Sequence, residues 1–163
     1  MFHKKGLSAS GLWLPSALFA FLFLAGSAQA QSVTRSNSFQ SNPRTSSTVQ
    51  HGTTVTVTVR FEYYDRRSGQ WKPLANQVVD FQEKYSGYTT QAFNHDYRVV
   101  KSVRTDSNGY ASVQRSLTLP SAERQSSRSA RGGEYRYRCQ FSGNAAYKES
   151  WSPPPNIWIS VKP

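Results

Sequence analysis

The amino-acid sequence predicts an all-β fold, an antiparallel β-sandwich of about seven strands, and three observations indicate it. Residues 53–63 alternate strictly, with Val, Phe and Tyr on one face and Thr, Arg and Glu on the other. The same alternation recurs in residues 134–141 and 157–162, and turn signals follow roughly every ten residues. No helical periodicity of useful length appears after residue 30, so strands with one buried face are expected to form the domain.

Six strands are predicted, at residues 53–63, 77–82, 97–105, 110–119, 134–141 and 157–162. Residues 106–109 (Asp-Ser-Asn-Gly) are expected to join two of them as a hairpin, because Gly109 can take a positive φ. Residues 70–76 are expected to form a connector, since Pro73 blocks ladder pairing. Residues 84–95 fit either a short strand or an extended loop.

The first 30 residues have the features of a secretory signal peptide. Lys4 and Lys5 form a basic start, an apolar run follows at residues 12–24, and residues 28–30 (Ala-Gln-Ala) match a signal peptidase site. The run falls short of the roughly 18 apolar residues that a membrane span needs, which disfavours an uncleaved anchor. We therefore expect cleavage after Ala30, export to the periplasm or the medium, and no transmembrane segment in the mature chain.

Two polar segments accompany the predicted domain, which spans residues 51–163. Residues 31–50 contain almost nothing apolar, so a flexible lead-in is expected, with at most a short edge strand near Val33 or Phe39. Residues 121–133 are rich in Ser and Arg. They are expected to form a long mobile loop that presents Arg124, Arg128 and Arg131 as a basic surface.

The mature chain is strongly basic. Without Lys4 and Lys5 the formal charge falls from +11 to +9, carried mostly by Arg. Such a charge favours anionic partners, and for an exported chain we expect an anionic cell-surface polymer, a glycan or a protein. Export argues against nucleic acid. The alternative is a charge that merely keeps the protein dispersed.

Four motifs, in order along residues 52–163, carry a resemblance to a known family. Residues 55–61 resemble the second strand of a bacterial immunoglobulin-like domain. Residues 73–81 (PLANQVVDF) resemble that family's P-L-A-G-x-x-V-x-F entry into the third strand, residues 105–111 (TDSNGYA) its T-D-x-x-G-x-A turn, and residues 137–150 its Y-x-A-x-F-x-G-x-x-x-Y-x-x-S close. The chain thus looks like a single Big-type domain behind a signal peptide. The resemblance implies an immunoglobulin-like sandwich, and it implies no activity because the family shares no active site.

Tyr137 and Cys139 are the predicted structural residues of the strand at 134–141. Tyr137 precedes Cys139 by two positions, as in the tyrosine corner of immunoglobulin sandwiches, where the phenol bonds the backbone of a neighbouring loop. Cys139 is the single cysteine, so no internal disulfide can form. Its inward position predicts a buried thiol, and pairing between chains is the alternative.

Residues suited to catalysis or metal binding are sparse. The mature chain has only His51 and His95, and neither has a Cys or His at metal-ligand spacing, so both are expected to be solvated. No nucleophile motif occurs, and the acidic residues are scattered over turns and outward strand positions. The turn at 106–109 lacks the further ligands of a calcium loop. We expect no enzyme activity, no cofactor and no metal.

The candidate binding site is the outward face of the last two long strands. In an immunoglobulin-like sheet these strands are neighbours, which places Arg136 and Arg138 beside Trp158. Asp80 and Gln82 would lie on the adjoining strand. Trp and Arg on an exposed sheet suit protein hot spots or sugar rings.

Two functions are compatible with these features. The first is an exported, non-catalytic binding or adhesion module that engages an anionic envelope component, a glycan or a protein through this face. The second is a structural or accessory subunit of a surface assembly that pairs through sheet edges. The first requires that Trp158 is not covered by the N-terminal segment or by Trp151, which the sequence leaves open.

Overall fold

The computed structural model describes residues 30–88, 96–121, 124, 132–154 and 156–163. Ten strands lie within these residues: β1 (Thr34–Asn42), β2 (Thr48–Gln50), β3 (Thr54–Asp65), β4 (Gln70–Pro73), β5 (Val78–Gly87), β6 (Arg98–Arg104), β7 (Tyr110–Ser116), β8 (Gly133–Phe141), β9 (Ser150–Trp151) and β10 (Ile157–Lys162). Seven of them are long, and β2, β4 and β9 are short additions. The all-β sandwich predicted from the sequence is confirmed.

The strands form two sheets. In the first, β3 pairs with β1 on one side and with β7 and β4 on the other. The second has the order β2-β10-β8-β5-β6, and β9 pairs with the end of β8. Pairs are antiparallel, except that β2 runs parallel to β10. The neighbours β1-β3-β7 and β10-β8-β5 correspond to the A-B-E and G-F-C orders of immunoglobulin sandwiches.

Alternating apolar side chains from both sheets fill the space between them. The fully buried side chains include Val55, Val57, Val59, Phe61, Val79, Phe81, Tyr137, Cys139 and Ile159. Burying an aliphatic or aromatic side chain of this size contributes about 1.5–3 kcal/mol. The opposite positions of the same strands carry polar residues, which gives the second sheet an outward face of its own.

The segment before residue 51 is not the flexible lead-in that its composition predicted. β1 pairs with β3 along its length, and β2 joins the edge of the other sheet beside β10. The chain changes sheets at a cis Asn42–Pro43 peptide. Backbone hydrogen bonds do not depend on side-chain polarity, so a Ser-rich segment can complete a sheet when a neighbouring strand offers unpaired groups.

The connector predicted at residues 70–76 is also partly a strand, because residues 70–73 form β4 beside β3. Pro73 does not prevent this pairing, since it is the last residue of a short strand, where a missing N–H costs little. β5 likewise extends to Gly87, beyond its predicted end, so the first part of residues 84–95 is strand. Residues 89–95 lie outside the described residues.

Residues 106–109 form the predicted turn, with Gly109 at a φ of +79°, but they do not close a β-hairpin. β6 pairs with β5 in one sheet and β7 pairs with β3 in the other, so the turn crosses between sheets. Thr105 anchors the crossing: its buried Oγ1 donates to the Leu74 carbonyl and accepts from the Gln77 N–H.

Candidate functional site

The centre of the predicted face is Arg138, a partly buried residue in β8. Its guanidinium carbon lies 4.1 Å from the centroid of the Tyr97 ring and 4.7 Å from that of the Trp151 ring. Both distances are within the roughly 6 Å at which a cation is attracted to an aromatic face. We call these three residues the Arg138 stack.

The two rings lie on opposite sides of Arg138 along the sheet. Trp151 in β9 pairs with Gln140, two residues after Arg138 in β8. Tyr97 directly precedes β6 and lies at the level of Arg136, two residues before Arg138. Aromatic rings therefore approach the guanidinium from two sides along the sheet.

Two glutamines hold Arg138 in this orientation. Arg138 Nε donates to Gln82 Oε1 at 2.7 Å, and Gln82 Nε2 donates to Gln140 Oε1 at 3.1 Å. Gln82 is 7% exposed, so its side chain is itself fixed by the sheet. Within the described residues, no carboxylate forms a salt bridge with Arg138. Its terminal nitrogens and its charge are therefore available to a ligand.

Arg136 and Trp158 lie next to this stack. Trp158 in β10 pairs with Arg136 in β8, and Trp158 is 37% exposed. Arg136 Nε donates to Glu134 Oε1, and this hydrogen bond and ion pair raise the pKa of Arg136. These three residues and Asn156 line a shallow depression in the sheet surface.

Trp158 is 37% exposed, so neither the N-terminal segment nor Trp151 covers it completely. The N-terminal segment contacts the backbone of Trp158: Ser46 N donates to its carbonyl at 2.8 Å, and its N–H donates to Thr45 Oγ1 at 3.2 Å. The Trp151 ring packs on Arg138 instead. A tryptophan and a guanidinium edge thus remain exposed on one face.

The other predicted site residues are less central. Asp80 lies at the margin of the face, where its Oδ1 accepts from Ser102 Oγ at 2.6 Å, and its partner in β8 is Gln140. Arg124 is exposed. Arg128 and Arg131, the remaining members of the predicted basic loop, lie outside the described residues.

The predicted partner of Tyr137 is wrong. The Tyr137 phenol donates to Glu83 Oε2 at 2.9 Å rather than to loop backbone, and burial together with the Glu83 charge raises its pKa. Tyr135 makes the backbone contact instead, donating to the Thr118 carbonyl at 2.6 Å. A charged carboxylate is the stronger acceptor, and Glu83 lies just beyond the predicted end of its strand, where an inward acid was not expected.

Cys139 has no exposed surface, and burial raises the pKa of its thiol. His51 is not simply solvated, because Leu119 N donates to its Nδ1 at 2.9 Å; His95 lies outside the described residues. In the part of the chain that the structure describes, no three His, Cys, Asp or Glu side chains are grouped so that they could hold a metal ion. The same part contains no helix of the length and apolarity needed to cross a membrane.

Tyr97 and Trp151 are the site residues that the sequence does not reveal. Tyr97 begins the strand predicted at residues 97–105, which was not assigned to the face, and Trp151 was considered only as a possible cover for Trp158. Their only signal is that both are large aromatic residues next to segments without an apolar pattern. Contact with Arg138 depends on strand pairing, which alternation within one strand does not specify.

No protein-family model matches this chain, and no curated protein matches it. Among solved structures it is similar to the Pseudomonas fluorescens alkylpurine DNA glycosylase AlkC bound to DNA containing an abasic site analog, with a TM-score of 0.45 and 7% sequence identity. The match covers 80% of this chain and 30% of that one. A likeness at this level carries no functional argument.

Proposed function

We propose that this chain is an exported, non-catalytic binding module that engages an anionic component of the cell envelope through the outward face of β5, β8 and β10. The Arg138 stack is the observation that carries the proposal. Its guanidinium is oriented by Gln82 and by two rings before any ligand arrives, so little side-chain entropy remains to be lost on binding. Charge-assisted hydrogen bonds from such a group to an oxyanion are stronger than neutral ones.

Other features support the same proposal. The predicted signal peptide accounts for export, and the resemblance to Big-type domains of secreted and surface proteins accounts for the sandwich. Trp158 supplies an exposed aromatic surface beside the cation. The predicted mature charge of +9 attracts anionic polymers over a longer range.

Pairing through sheet edges is the alternative, and β6 is one of several edge strands in the described sheets. Among the described strands β6 pairs with β5 alone. However, Arg98, Lys101 and Arg104 lie exposed along β6. Charged side chains on an edge strand are a common means of preventing edge-to-edge pairing, so this feature disfavours pairing through β6.

The test is retention of residues 31–163, which contain all ten strands, on isolated cell envelope across a salt series. We expect Arg138→Ala to weaken retention by about tenfold or more, equivalent to about 1.4 kcal/mol. Arg35→Ala is the matched control, because Arg35 also lies over an aromatic ring, at 4.0 Å from the Trp71 centroid, on the other sheet. Equal losses in the two variants, or no retention of the unaltered protein, would contradict the proposal.

A further inference from the structure

We propose that the anionic component is an acidic polysaccharide, bound with a sugar carboxylate edge-on to Arg138 and a sugar ring stacked on Trp158. This inference rests on the proposed function and names its ligand class. It follows from which surfaces of the two side chains remain open.

Part of the Arg138 guanidinium is already engaged within the protein. The centroids of the Tyr97 and Trp151 rings lie 4.1 and 4.7 Å from its central carbon, and its Nε donates to Gln82. The remaining donors are the terminal N–H groups, which form a planar fork. A carboxylate matches such a fork with two parallel hydrogen bonds in the guanidinium plane. A ligand ring would then stack on a different aromatic surface that is exposed.

Trp158 is that surface. It pairs with Arg136, which lies two residues before Arg138 in β8, so Trp158 and Arg138 are on adjacent strands. Strand spacing of about 4.8 Å and a rise of about 3.3 Å per residue put their Cα positions roughly 8 Å apart. A chain of sugars can bridge this separation, with a carboxylate on Arg138 and a neighbouring ring on Trp158.

The acidic side chains of the face disfavour nucleic acid as the ligand. Lys84, Arg136 and Arg138 are the cations at the centre of the face, but Arg136 is already paired with Glu134. Asp80 lies at its margin. Nucleic acid, with one phosphate about every 3.4 Å per strand, would bring phosphates against both carboxylates. A polysaccharide with one carboxylate per sugar can place a single charge on Arg138.

The test measures the affinity of residues 31–163 for polygalacturonate by isothermal titration calorimetry. The same polymer with its carboxylates reduced to alcohols, and a sulfated polysaccharide, serve as comparison ligands. We expect binding to polygalacturonate, at least about tenfold weaker binding to both comparison ligands, and a tenfold loss in Arg138→Lys, which keeps the charge but not the fork. Trp158→Ala is expected to weaken binding similarly, and Arg35→Lys to leave it unchanged.

Three results would overturn this inference: Arg138→Lys binding as well as the unaltered protein, undiminished binding of the carboxyl-reduced polymer, or equal or tighter binding of the sulfated polymer. The thermal midpoint of each variant checks that it is folded. If the protein is retained on cell envelope but does not bind polygalacturonate, the ligand class is wrong and the proposed function stands. If it binds neither, both are wrong.

Discussion

Arg138 and Cys139 are neighbours in β8, and their side chains leave the sheet on opposite faces. Arg138 points outward between Tyr97 and Trp151, whereas Cys139 lies in the core with no exposed surface. Burial raises the pKa of the Cys139 thiol, because the thiolate would lose its hydration. Adjacent positions in β8 thus carry a guanidinium that is available for binding and a thiol that is unreactive in the folded protein.

We expect the Cys139 thiol to react with a disulfide reagent such as DTNB only when the protein unfolds. A fully buried thiol is reached through opening of the structure, so labelling at neutral pH should accelerate by more than about a hundredfold in guanidinium chloride. Ser107→Cys, in the exposed turn at 106–109, is the control and should label rapidly in the native state. Rapid native labelling of Cys139 itself would contradict its burial and favour pairing between chains.

At the scale of the element, the turn between β6 and β7 depends on a glycine for two separate reasons. Gly109 has a φ of +79°, which disfavours any side chain. A Cβ at this position would also overlap the Phe61 carbonyl oxygen and approach Leu74 N to 3.1 Å. Asp106 completes the turn, since its Oδ1 accepts from Asn108 N and Tyr110 N.

Substitution of two glycines separates these reasons. Gly52 has a similar φ of +84° but open space around it, so Gly52→Ala should lower the free energy of unfolding by about 1 kcal/mol from backbone strain alone. Gly109→Ala adds the backbone clash, and we expect a loss of about 3 kcal/mol. Urea denaturation measures both. Equal losses of unfolding free energy in the two variants would show that the turn at 106–109 is not tightly packed against β3.

At the scale of the whole molecule, an ion pair connects the two sheets. Arg115 in β7 donates from Nε to Glu83 Oε2 in β5 at 3.2 Å, and the Tyr137 phenol donates to the same oxygen. The Glu83 side chain is 2% exposed, and its hydrogen bond raises the pKa of Arg115. Because a buried carboxylate is costly without compensation, this contact constrains how β5 and β7 face each other.

We expect Arg115→Met to lower the free energy of unfolding by about 3 kcal/mol, because it leaves the buried Glu83 carboxylate without its main cation. The double variant Glu83→Gln/Arg115→Met should recover part of this loss, since the neutral amide can still accept from Tyr137. A double-mutant cycle in urea measures the coupling. If the double variant is no more stable than Arg115→Met, the uncompensated charge is not the source of the loss.

Sequence reasoning predicted the sandwich and the adjacency of Arg136, Arg138 and Trp158, because both follow from period-two alternation in long strands. It expected at most a short edge strand where the nine-residue β1 forms, because the polar side chains there show no alternation, and it did not predict the contacts of Tyr97 and Trp151 with Arg138. It also assigned Tyr137 a backbone partner. These errors share one cause: each concerns a contact between segments far apart in the chain.

By itself, the sequence determined which side of each long strand enters the core. Alternation of apolar and polar residues is a local property, and the apolar face it defines is the face that becomes buried. Only the tertiary structure decided the site. The stacking of two rings on Arg138, the pairing of Glu83 with Arg115, and the crossing of the turn at 106–109 between sheets all depend on which strands become neighbours. That choice is made by the packing of the whole core, because a strand's own pattern specifies a buried face but not the strand beside it.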